Sequence, residues 1–347
     1  MSPFAGFMMP IQYTDITAEH LAVRQAVGMF DVSHMGEVFI SGPDAQKYVN
    51  HIFTNDISPM QAGQVLYGMM LYPDGGTVDD LLVYKEPQDN KYILVINAAN
   101  IDKDVAWMKE NAAGYDVVVD NQSPLWGQIA IQGPKAEETL VDVLGFKEAA
   151  SLSFYTYYSV EADGARIIVS RTGYTGEDGF EVYATPAATV QFWKKLLAAG
   201  VTPCGLGCRD TLRFEAGLPL YGDELSPEIS PVMAGLGMFC KLDKEEFIGK
   251  EALETQKAGA LTKKLVGIEI EDKAIPRAGY PVELEDGTEV GVVTTGYHSI
   301  SLDKSICFAL VAKDYAALDT PLWIRIRKRV FPGKVVKKRF YQTRYKK

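Results

Sequence analysis

Hydrophobic residues recur along this chain at two different spacings, which predict helices and strands in an irregular order. Apolar side chains return every three or four positions, as on one face of a helix, over residues 43–53, 134–144 and 187–199. On the third helix the predicted buried face holds Val190, Trp193 and Leu197, and Gly200 follows at its end. Because helices and strands do not alternate regularly, the pattern disfavours a doubly wound parallel sheet.

Strand patterns dominate much of the remaining chain. Predicted strands rich in β-branched and aromatic residues are Lys91–Ala98, Trp126–Gln132, Ala165–Arg171 and Lys264–Glu269. Residues 281–294 alternate around Asp286-Gly287, which predicts a hairpin with a two-residue loop. Apolar residues alternate with arginines over 322–326, as in a strand buried on one face. The chain is therefore predicted to be α+β, mostly antiparallel, with a boundary near 255–262 and a small C-terminal β-barrel.

The composition indicates a folded protein of two or three domains. The chain has 347 residues, of which 47% are hydrophobic and 23% charged. No apolar run reaches the roughly 18 residues that a membrane span needs, and the N-terminus does not read as a signal peptide. The cysteines lack the spacing of a disulfide framework, which favours reduced thiols in a cytoplasmic protein. They are Cys204, Cys208, Cys240 and Cys307.

Charge is distributed unevenly along the chain. The net charge of -10 argues against a nucleic-acid binder. Residues 325–347 contain eleven Lys or Arg and no Asp or Glu, so the rest of the chain carries -21. A basic end on an acidic body can attract an anionic ligand or an acidic partner, and its ordinary alternative is a solvated strand face with a tail. No dinucleotide, triphosphate or zinc motif is present, so no metal is expected.

The segment with the clearest chemical signal is Val65–Lys85, in which two strands flank the turn residues Pro-Asp-Gly-Gly. With those four residues as the loop, Met69 pairs with Asp80. Asp80 then lies diagonal to Tyr67, while Asp79 points to the other face. Adjacent acids after a turn are commonly just solvated. Inside an apolar strand, however, an idle carboxylate at Asp80 would be costly.

Two further segments carry polar residues in suggestive positions. In Arg171–Val182, glycines mark an irregular backbone that holds Glu177, and the strand that follows holds Glu181. A carboxylate on a strand can accept two parallel N–H bonds from a guanidine-like heterocycle, although a surface acid beside a turn fits equally well. On a later predicted helix, Arg209 and Arg213 are four residues apart and share a face. The commoner fate of such a pair is surface pairing with nearby acids.

Taken in order, these segments resemble the aminomethyltransferase (T-protein) family of the glycine cleavage system, and the match runs through nearly the whole chain. The resembling stretches are Pro3–Tyr13, Val27–Gly36, Thr54–Asp56, Tyr67–Leu82, Val95–Asn97, Gly173–Glu181, Gly205–Gly222, Phe247–Ala252, Gly291–Gly296 and Lys337–Tyr345. The family usually has a further short stretch before the first of these. That departure bears on partner docking more than on folate binding.

The resemblance implies three domains in a cloverleaf around a central folate site. Residues 1–33 and 122–225 are expected to form the folate-binding domain 1, and residues 34–121 and 226–256 domain 2. Residues 257–347 are expected to form the C-terminal β-barrel. The first two domains of this family interleave along the chain. Tetrahydrofolate is expected with its pterin inward and its glutamate tail outward.

The resemblance also assigns site residues by motif position. Asp80 corresponds to the essential acid beside the reactive folate nitrogens. Glu181 corresponds to the acid bound to the pterin, with Glu177 as the alternative. The other residues expected to contact folate are Met35, Tyr67, Asn97, Arg209 and Tyr345.

In that family an aminomethyl group arrives on the dihydrolipoyl arm of a partner, the H-protein. A nitrogen of tetrahydrofolate attacks the methylene carbon, and the products are 5,10-methylenetetrahydrofolate, ammonia and dihydrolipoyl H-protein. The enzyme is then expected mainly to orient two reactants and exclude water. As a hypothesis, Asp80 fixes the folate and stabilises the positive charge that develops at nitrogen.

Three alternatives stay open from the sequence alone. A folate-dependent demethylase-type domain shares the fold but usually accompanies a flavin domain, and no dinucleotide motif is present. A non-catalytic folate-binding relative carries a Lys-Gly-Cys-Tyr-x-Gly-Gln-Glu signature, which this chain lacks. A scaffold without activity would require Asp80, Glu181 and Arg209 to be idle.

Overall fold

The computed structural model describes residues 1–162 and 164–346, so Lys347, the end of the predicted basic stretch, lies outside the described residues. The strands are β1 (Ser2–Phe4), β2 (Phe7–Met9), β3 (Gly28–Asp31), β4 (Gly36–Ser41), β5 (Val65–Leu71), β6 (Thr77–Lys85), β7 (Lys91–Ile96), β8 (Val118–Asn121), β9 (Gly127–Gln132), β10 (Tyr157–Ala162), β11 (Ala165–Ser170), β12 (Gly179–Ala184), β13 (Thr202–Pro203), β14 (Lys263–Ile270), β15 (Pro281–Glu283), β16 (Glu289–His298), β17 (Ser305–Ala312), β18 (Pro321–Ile326) and β19 (Arg329–Val336). The α-helices are α1 (Ile16–Gln25), α2 (Ala45–Ile52), α3 (Ile101–Glu110), α4 (Ala136–Leu144), α5 (Pro186–Ala198), α6 (Leu206–Glu215) and α7 (Lys250–Thr255). None of the described helices has both the length and the apolar character required to cross a membrane.

The strands form three larger sheets and a short β1–β2 hairpin. Sheet 1 has the order β10-β11-β12-β9-β3-β13 and is antiparallel except for the β3–β13 pair. Sheet 2 has the order β5-β6-β7-β4-β8 and is antiparallel throughout. The last six strands close into an antiparallel barrel, β14-β17-β16-β15-β18-β19. The predicted α+β class with antiparallel sheets and a C-terminal barrel is confirmed.

Sheets 1 and 2 face each other across a shared apolar layer, and each carries helices on its other face. In β12, Phe180 and Val182 pack into the cluster beneath α4 and α5, whereas Tyr183 packs against sheet 2. Because side chains alternate along a strand, Glu181 shares the face of Tyr183. Every residue of β12 is buried because both faces of the strand are covered.

Strand β6 has the same two-sided environment in sheet 2. Leu81 and Val83 pack into the cluster beneath α2 and α3, and Leu82 packs toward sheet 1. By alternation Asp79 faces the helices and Asp80 faces the space between the sheets. This inter-sheet space therefore receives Asp80 from one sheet and Glu181 from the other.

The β5–β6 hairpin has the predicted pairing of Met69 with Asp80. Its loop is one residue longer than predicted, because a bulge makes Leu71 pair with Thr77. The loop packs closely against residues 226–229: the backbone N–H of Thr77 donates to the Ser226 carbonyl at 2.9 Å, and its hydroxyl donates to that of Ile229 at 2.8 Å. The strand that carries the two aspartates is thus fixed at its start.

The predicted helices over 43–53, 134–144 and 187–199 are present as α2, α4 and α5. The predicted buried face of α5 is wrong by about one position, because Val190 and Leu197 are exposed whereas Thr189 and Leu196 are buried. Thr189 packs against Gly127 of β9, a contact between small residues that hydrophobicity does not indicate.

The predicted hairpin around Asp286-Gly287 is present, but the predicted loop length of two residues is wrong. Glu283 pairs with Glu289, so five residues connect β15 and β16, and the register shifts after Val282. The backbone N–H of Leu284 donates to the Thr288 carbonyl at 2.9 Å inside this connection.

We expect Gly76→Ala to destabilise the protein by about 1–3 kcal/mol, because overpacking a rigid contact forces the backbone to move. A Cβ at Gly76 would lie 1.9 Å from the carbonyl oxygen of Pro227. The matched control is Gly237→Ala, whose new methyl group would make ordinary contacts with the flexible end of Lys257, at 3.4 Å, and with Val232, at 3.9 Å. Urea unfolding measures both variants, and equal midpoints would contradict this account of the hairpin.

Candidate functional site

Asp80 is the centre of a hydrogen-bonded group between the sheets. Tyr67 donates its hydroxyl to Asp80 Oδ2 at 2.9 Å, and Asn97 donates its amide to Asp80 Oδ1 at 2.9 Å. The same amide donates to Asp79 Oδ1 at 2.8 Å. Tyr67 lies on β5, Asp80 on β6 and Asn97 directly after β7, so three neighbouring strands supply the group. The prediction that Tyr67 and Asp80 share a face is confirmed.

The environment of Asp80 stabilises its protonated form. Burial and the charge of Asp79 raise the pKa of Asp80 to about 7, against the opposing effect of the hydrogen bonds from Tyr67 and Asn97. Asp80 still keeps some accessible surface, so it lines an opening rather than a closed core. At neutral pH both of its protonation states are populated, which suits proton transfer or the stabilisation of a nearby cation.

Glu181 enters the same space from sheet 1. Gln128 donates its amide to Glu181 Oε1 at 3.0 Å, and the Thr172 hydroxyl donates to Oε2. Burial raises the pKa of Glu181, while Thr172, the charge of Arg209 and Gln128 act in the opposite direction. Among the described residues each Glu181 carboxylate oxygen has one donor, so lone pairs remain for the N–H groups of a ligand.

Arg209 and Arg213 both lie on α6 but differ in their partners. Arg213 is fully buried and donates to Glu224 at 2.7 Å. The guanidinium of Arg209 stacks 4.7 Å from the ring centroid of Tyr174, and it forms no salt bridge within the part of the chain that the structure describes. Burial lowers the pKa of Arg209, against the effect of Tyr174 and Glu181. An unpaired guanidinium beside an inter-sheet opening is available to an anionic ligand.

Two tyrosines that the sequence did not single out lie near Asp80. Burial raises the pKa values of Tyr155 and Tyr174, and the charge of Asp80 raises both further. Tyr174 belongs to the glycine-rich segment after β11, which is a local signal that could have identified it. Tyr155 has a left-handed φ of 65° in the loop before β10, and its surrounding sequence gives no comparable signal.

Residues from near both ends of the chain complete the surroundings of Asp80 and Glu181. The ring of Tyr345 stacks on that of Phe154 with 4.2 Å between ring centroids, and the ring of Phe154 stacks on that of Tyr155 with 4.3 Å between them. Met35 packs between the apolar cluster beneath α6 and the inter-sheet layer. The predicted residues that the structure brings toward this space are Met35, Tyr67, Asp80, Asn97, Glu181, Arg209 and Tyr345.

Glu177 lies in a different network. Arg24 donates to Glu177 Oε1 at 3.1 Å and to Glu215 Oε2 at 3.1 Å, and all three side chains are almost fully buried. The guanidinium of Arg24 also lies 3.8 Å from the ring centroid of Tyr341. Glu177 therefore helps to hold α1, α6 and the C-terminal tail together.

Glu19, Cys204 and Cys208 form a group of the kind that can hold a metal, with ligand atoms within 4.8 Å of one another. The Glu19 carboxylate already accepts hydrogen bonds from the backbone N–H groups of Tyr13, at 2.6 Å, and of Thr14 and Gly205, both at 2.9 Å. A hydrogen bond with Cys204, together with burial, raises the pKa of the Cys208 thiol. A metal needs the thiolate, so these residues serve better as a structural contact.

Comparison with known proteins gives matches along almost the whole chain. The family model "GCVT N-terminal domain" matches residues 1–244, and "Glycine cleavage T-protein C-terminal barrel domain" matches residues 263–342. The chain is 50% identical to the "Aminomethyltransferase" of Alkaliphilus oremlandii over 99% of this chain and 94% of that protein. It is 48% identical to the "Aminomethyltransferase" of Bacillus subtilis, over 98% of this chain and 94% of that protein. The crystal structure of glycine cleavage system aminomethyltransferase T from Bartonella henselae is similar with a TM-score of 0.94 and 30% identity, over 100% of this chain and 95% of that one.

The raised pKa of Asp80 makes stability depend on pH. In the unfolded chain an aspartate titrates near 4, so between pH 4 and 7 the folded state binds more protons than the unfolded state. Stability from this group is present at low pH and is lost as pH rises to about 7. We expect the unfolding free energy of wild type, relative to Asp80→Asn, to fall by about 2 kcal/mol between pH 5 and pH 8. Urea unfolding of both proteins measures this, and parallel pH curves would contradict it.

Proposed function

The chain belongs to the glycine cleavage T-protein family and is an aminomethyltransferase, and we propose that its one-carbon transfer takes place at the Asp80 centre with tetrahydrofolate as the acceptor. Tetrahydrofolate supplies the nitrogen that receives the methylene group of the aminomethyl donor. The expected products are 5,10-methylenetetrahydrofolate, ammonia and the dihydrolipoyl form of the donor protein.

The observation that carries this proposal is the hydrogen-bonded orientation of Asp80. Tyr67 and Asn97 each donate to a different oxygen of its carboxylate, so the group cannot rotate freely. Its pKa of about 7 lets it carry negative charge when a cation develops beside it, or take up a proton. A fixed carboxylate needs little reorganisation during the reaction, which is how a preformed site lowers the barrier.

The polar groups around Asp80 fit a pterin with a charged tail. Glu181 presents a carboxylate with free lone pairs, which suits the parallel N–H donors of a guanidine-like ring edge. Arg209 offers an unpaired guanidinium for a carboxylate of the tail or for the π face of a ring. Tyr155 and Tyr174 supply aromatic surfaces near both groups. We propose that Met35, Asn97 and Tyr345 contact the same ligand.

The donor is proposed to be the aminomethyl-loaded lipoyl arm of an H-protein. The chain as a whole carries -10, yet its last segment is strongly basic. Tyr345 of that segment lies beside the site, because it stacks on Phe154. Opposite charges would speed the encounter with an acidic partner and guide it to this end of the opening. All four cysteines are free, which fits the proposed cytoplasmic location.

The alternative functions are not favoured. Relatives of about half identity over nearly the whole chain are named aminomethyltransferases. An idle scaffold would have no use for a half-buried guanidinium without an ion-pair partner among the described residues, or for a carboxyl group held at a pKa of about 7.

We expect Asp80→Asn to lower the formation of methylenetetrahydrofolate by about 100-fold or more, because the amide cannot carry the stabilising charge. The assay uses aminomethyl-loaded H-protein and tetrahydrofolate. Binding of tetrahydrofolate, measured by titration, controls for loss of the site itself. The role of Asp80 would be wrong if the variant bound folate and turned over normally. If wild type bound folate but gave no product from the loaded H-protein, the proposed donor would be wrong.

The two candidate acids for the pterin make a matched pair of variants. We expect Glu181→Gln to weaken tetrahydrofolate binding by about 10- to 100-fold, because a charge-assisted pair of hydrogen bonds is lost. Glu177→Gln should leave that affinity nearly unchanged and lower the unfolding midpoint instead, because Arg24 loses a buried partner. Calorimetric titration and thermal unfolding of both variants separate the effects. The reverse pattern would assign the pterin to Glu177.

A further inference from the structure

The end of β9 carries a polar side chain that no solvent reaches. Gln132 is fully buried, and by alternation it shares a face of the strand with Gln128, which donates to Glu181. Its amide lies against two glycines, one before β12 and one at the start of that strand. A Cβ at Gly173 would lie 2.1 Å from Gln132 Oε1, and a Cβ at Gly179 would lie 2.5 Å from Nε2. The absence of a side chain at both positions lets the amide reach the backbone there.

The Gln132 amide forms hydrogen bonds at two points of the glycine-rich segment. Its Nε2 donates to the Thr172 carbonyl at 3.1 Å and to the Phe180 carbonyl at 3.4 Å. Its Oε1 accepts from the Thr175 hydroxyl at 2.8 Å. Both threonines are buried, so the loss of either bond would leave a polar group that water cannot reach. One side chain therefore joins the two ends of the stretch 172–175.

The stretch 172–175 depends on side chains because its backbone is irregular. Among the residues that the structure describes, none of these four forms a hydrogen bond with another backbone group. Two further contacts involve side chains: Arg24 donates to the Thr175 carbonyl at 2.7 Å, and the Tyr174 hydroxyl donates to the Pro219 carbonyl. A segment outside the sheet ladder keeps the position that such contacts give it.

Tyr174 lies in the middle of this stretch and connects it to the ligand site. Its ring lies 4.7 Å from the guanidinium carbon of Arg209. The hydroxyl end of the ring is held at Pro219, and its backbone end is held by the bonds that Gln132 makes on either side of it. Because Arg209 forms no salt bridge within the described chain, the direction of its guanidinium depends on where the ring lies.

We propose that Gln132 is a positioning residue for the binding of tetrahydrofolate. Its amide fixes the stretch 172–175 and so holds the ring of Tyr174 against Arg209. The inference rests on the proposed function, because Gln132 affects the reaction only through the folate site. Its loss should raise the Kd and the KM for tetrahydrofolate and leave kcat nearly unchanged, since the hydrogen bonds around Asp80 do not involve this stretch.

Gln132→Met keeps the length of the side chain but removes its donor and its acceptor. We expect tetrahydrofolate to bind about 10-fold more weakly, with kcat within about twofold of wild type. Calorimetric titration measures the affinity, and the transfer assay with aminomethyl-loaded H-protein separates KM from kcat. A purely structural role would lower kcat through the loss of folded protein and leave KM unchanged.

Ile131→Val is the matched control for this variant. Ile131 is also fully buried on β9, but it packs into the apolar cluster beneath α4 and α5, on the opposite face of the strand from Gln132. The control should therefore bind tetrahydrofolate as tightly as wild type does.

A double-mutant cycle tests the route through Tyr174. If Gln132 acts by placing this ring, its substitution should cost little once the ring is removed. We expect the loss of affinity caused by Gln132→Met to shrink from about 10-fold in wild type to less than about threefold in Tyr174→Ala. Two unconnected contacts would instead give losses that multiply, so Gln132→Met would cost the same factor in both backgrounds.

Three results would overturn the proposal: a folded Gln132→Met protein with wild-type affinity, a loss confined to kcat, or equal losses with and without the Tyr174 ring. If Gln132→Met does not fold, Thr175→Val takes its place, because it removes the hydroxyl that donates to Gln132 Oε1. We expect this variant to bind tetrahydrofolate about threefold more weakly, and an unchanged affinity would overturn the proposal equally.

Glu181→Gln in the same titration separates this proposal from the proposed folate site. Wild-type affinity in Glu181→Gln would contradict the folate site itself. Weak binding by Glu181→Gln beside normal binding by Gln132→Met would contradict only the positioning role of Gln132.

Discussion

The alternation of side chains along β6 places two neighbouring carboxyl groups on opposite faces of a strand that is covered on both sides. Asp79 and Asp80 are adjacent in sequence, yet one faces helices and the other faces sheet 1. Water cannot reach Asp79 and reaches Asp80 only from the opening between the sheets, so the protein supplies hydrogen-bond donors to both. Asn97 serves both at once through a single amide. The negative charge behind the strand then raises the pKa of the acid in front of it.

The buried guanidinium groups show how unusual the site is within this molecule. Arg24, Arg171 and Arg213 each form ion pairs with at least two carboxylates. Arg209 has the same chemistry and lies just one turn of α6 from Arg213, but within the described chain it stacks on Tyr174 without any such partner. Arg209 is half-buried, so a cation there without a counter-charge is only partly solvated, and the fold could have provided a partner as it does elsewhere. The arrangement is explained when an anionic group arrives with the ligand.

The sequence could predict those features of the fold and the site that depend on residues close together along the chain. The β5–β6 hairpin, the face of Asp80 and the strand position of Glu181 depend on turn residues and on a period of two, and both can be read along the chain. Tyr155 is held by residues far away in the sequence, because its backbone carbonyl accepts from the Val65 N–H at 2.9 Å and its N–H donates to the Arg171 carbonyl at 3.0 Å. The errors on α5 and at the hairpin loops have a similar origin, since bulges and contacts between small residues leave no hydrophobic pattern.

The C-terminal tail shows why the site depends on all three sheets. After the barrel, the backbone N–H of Tyr341 donates to the Glu215 carbonyl at 2.7 Å. The backbone N–H of Arg344 donates to the Gly176 carbonyl at 2.8 Å. Lys346 then pairs with Glu137 at 2.8 Å. Part of the basic charge of this segment is therefore committed to fixed contacts with the domain that carries sheet 1, instead of lying on a solvated tail. These contacts, together with a hydrogen bond from the Phe154 backbone N–H to the Lys346 carbonyl at 3.2 Å, hold Tyr345 against Phe154, so the segment that follows the barrel supplies the aromatic side of an opening between the other two sheets.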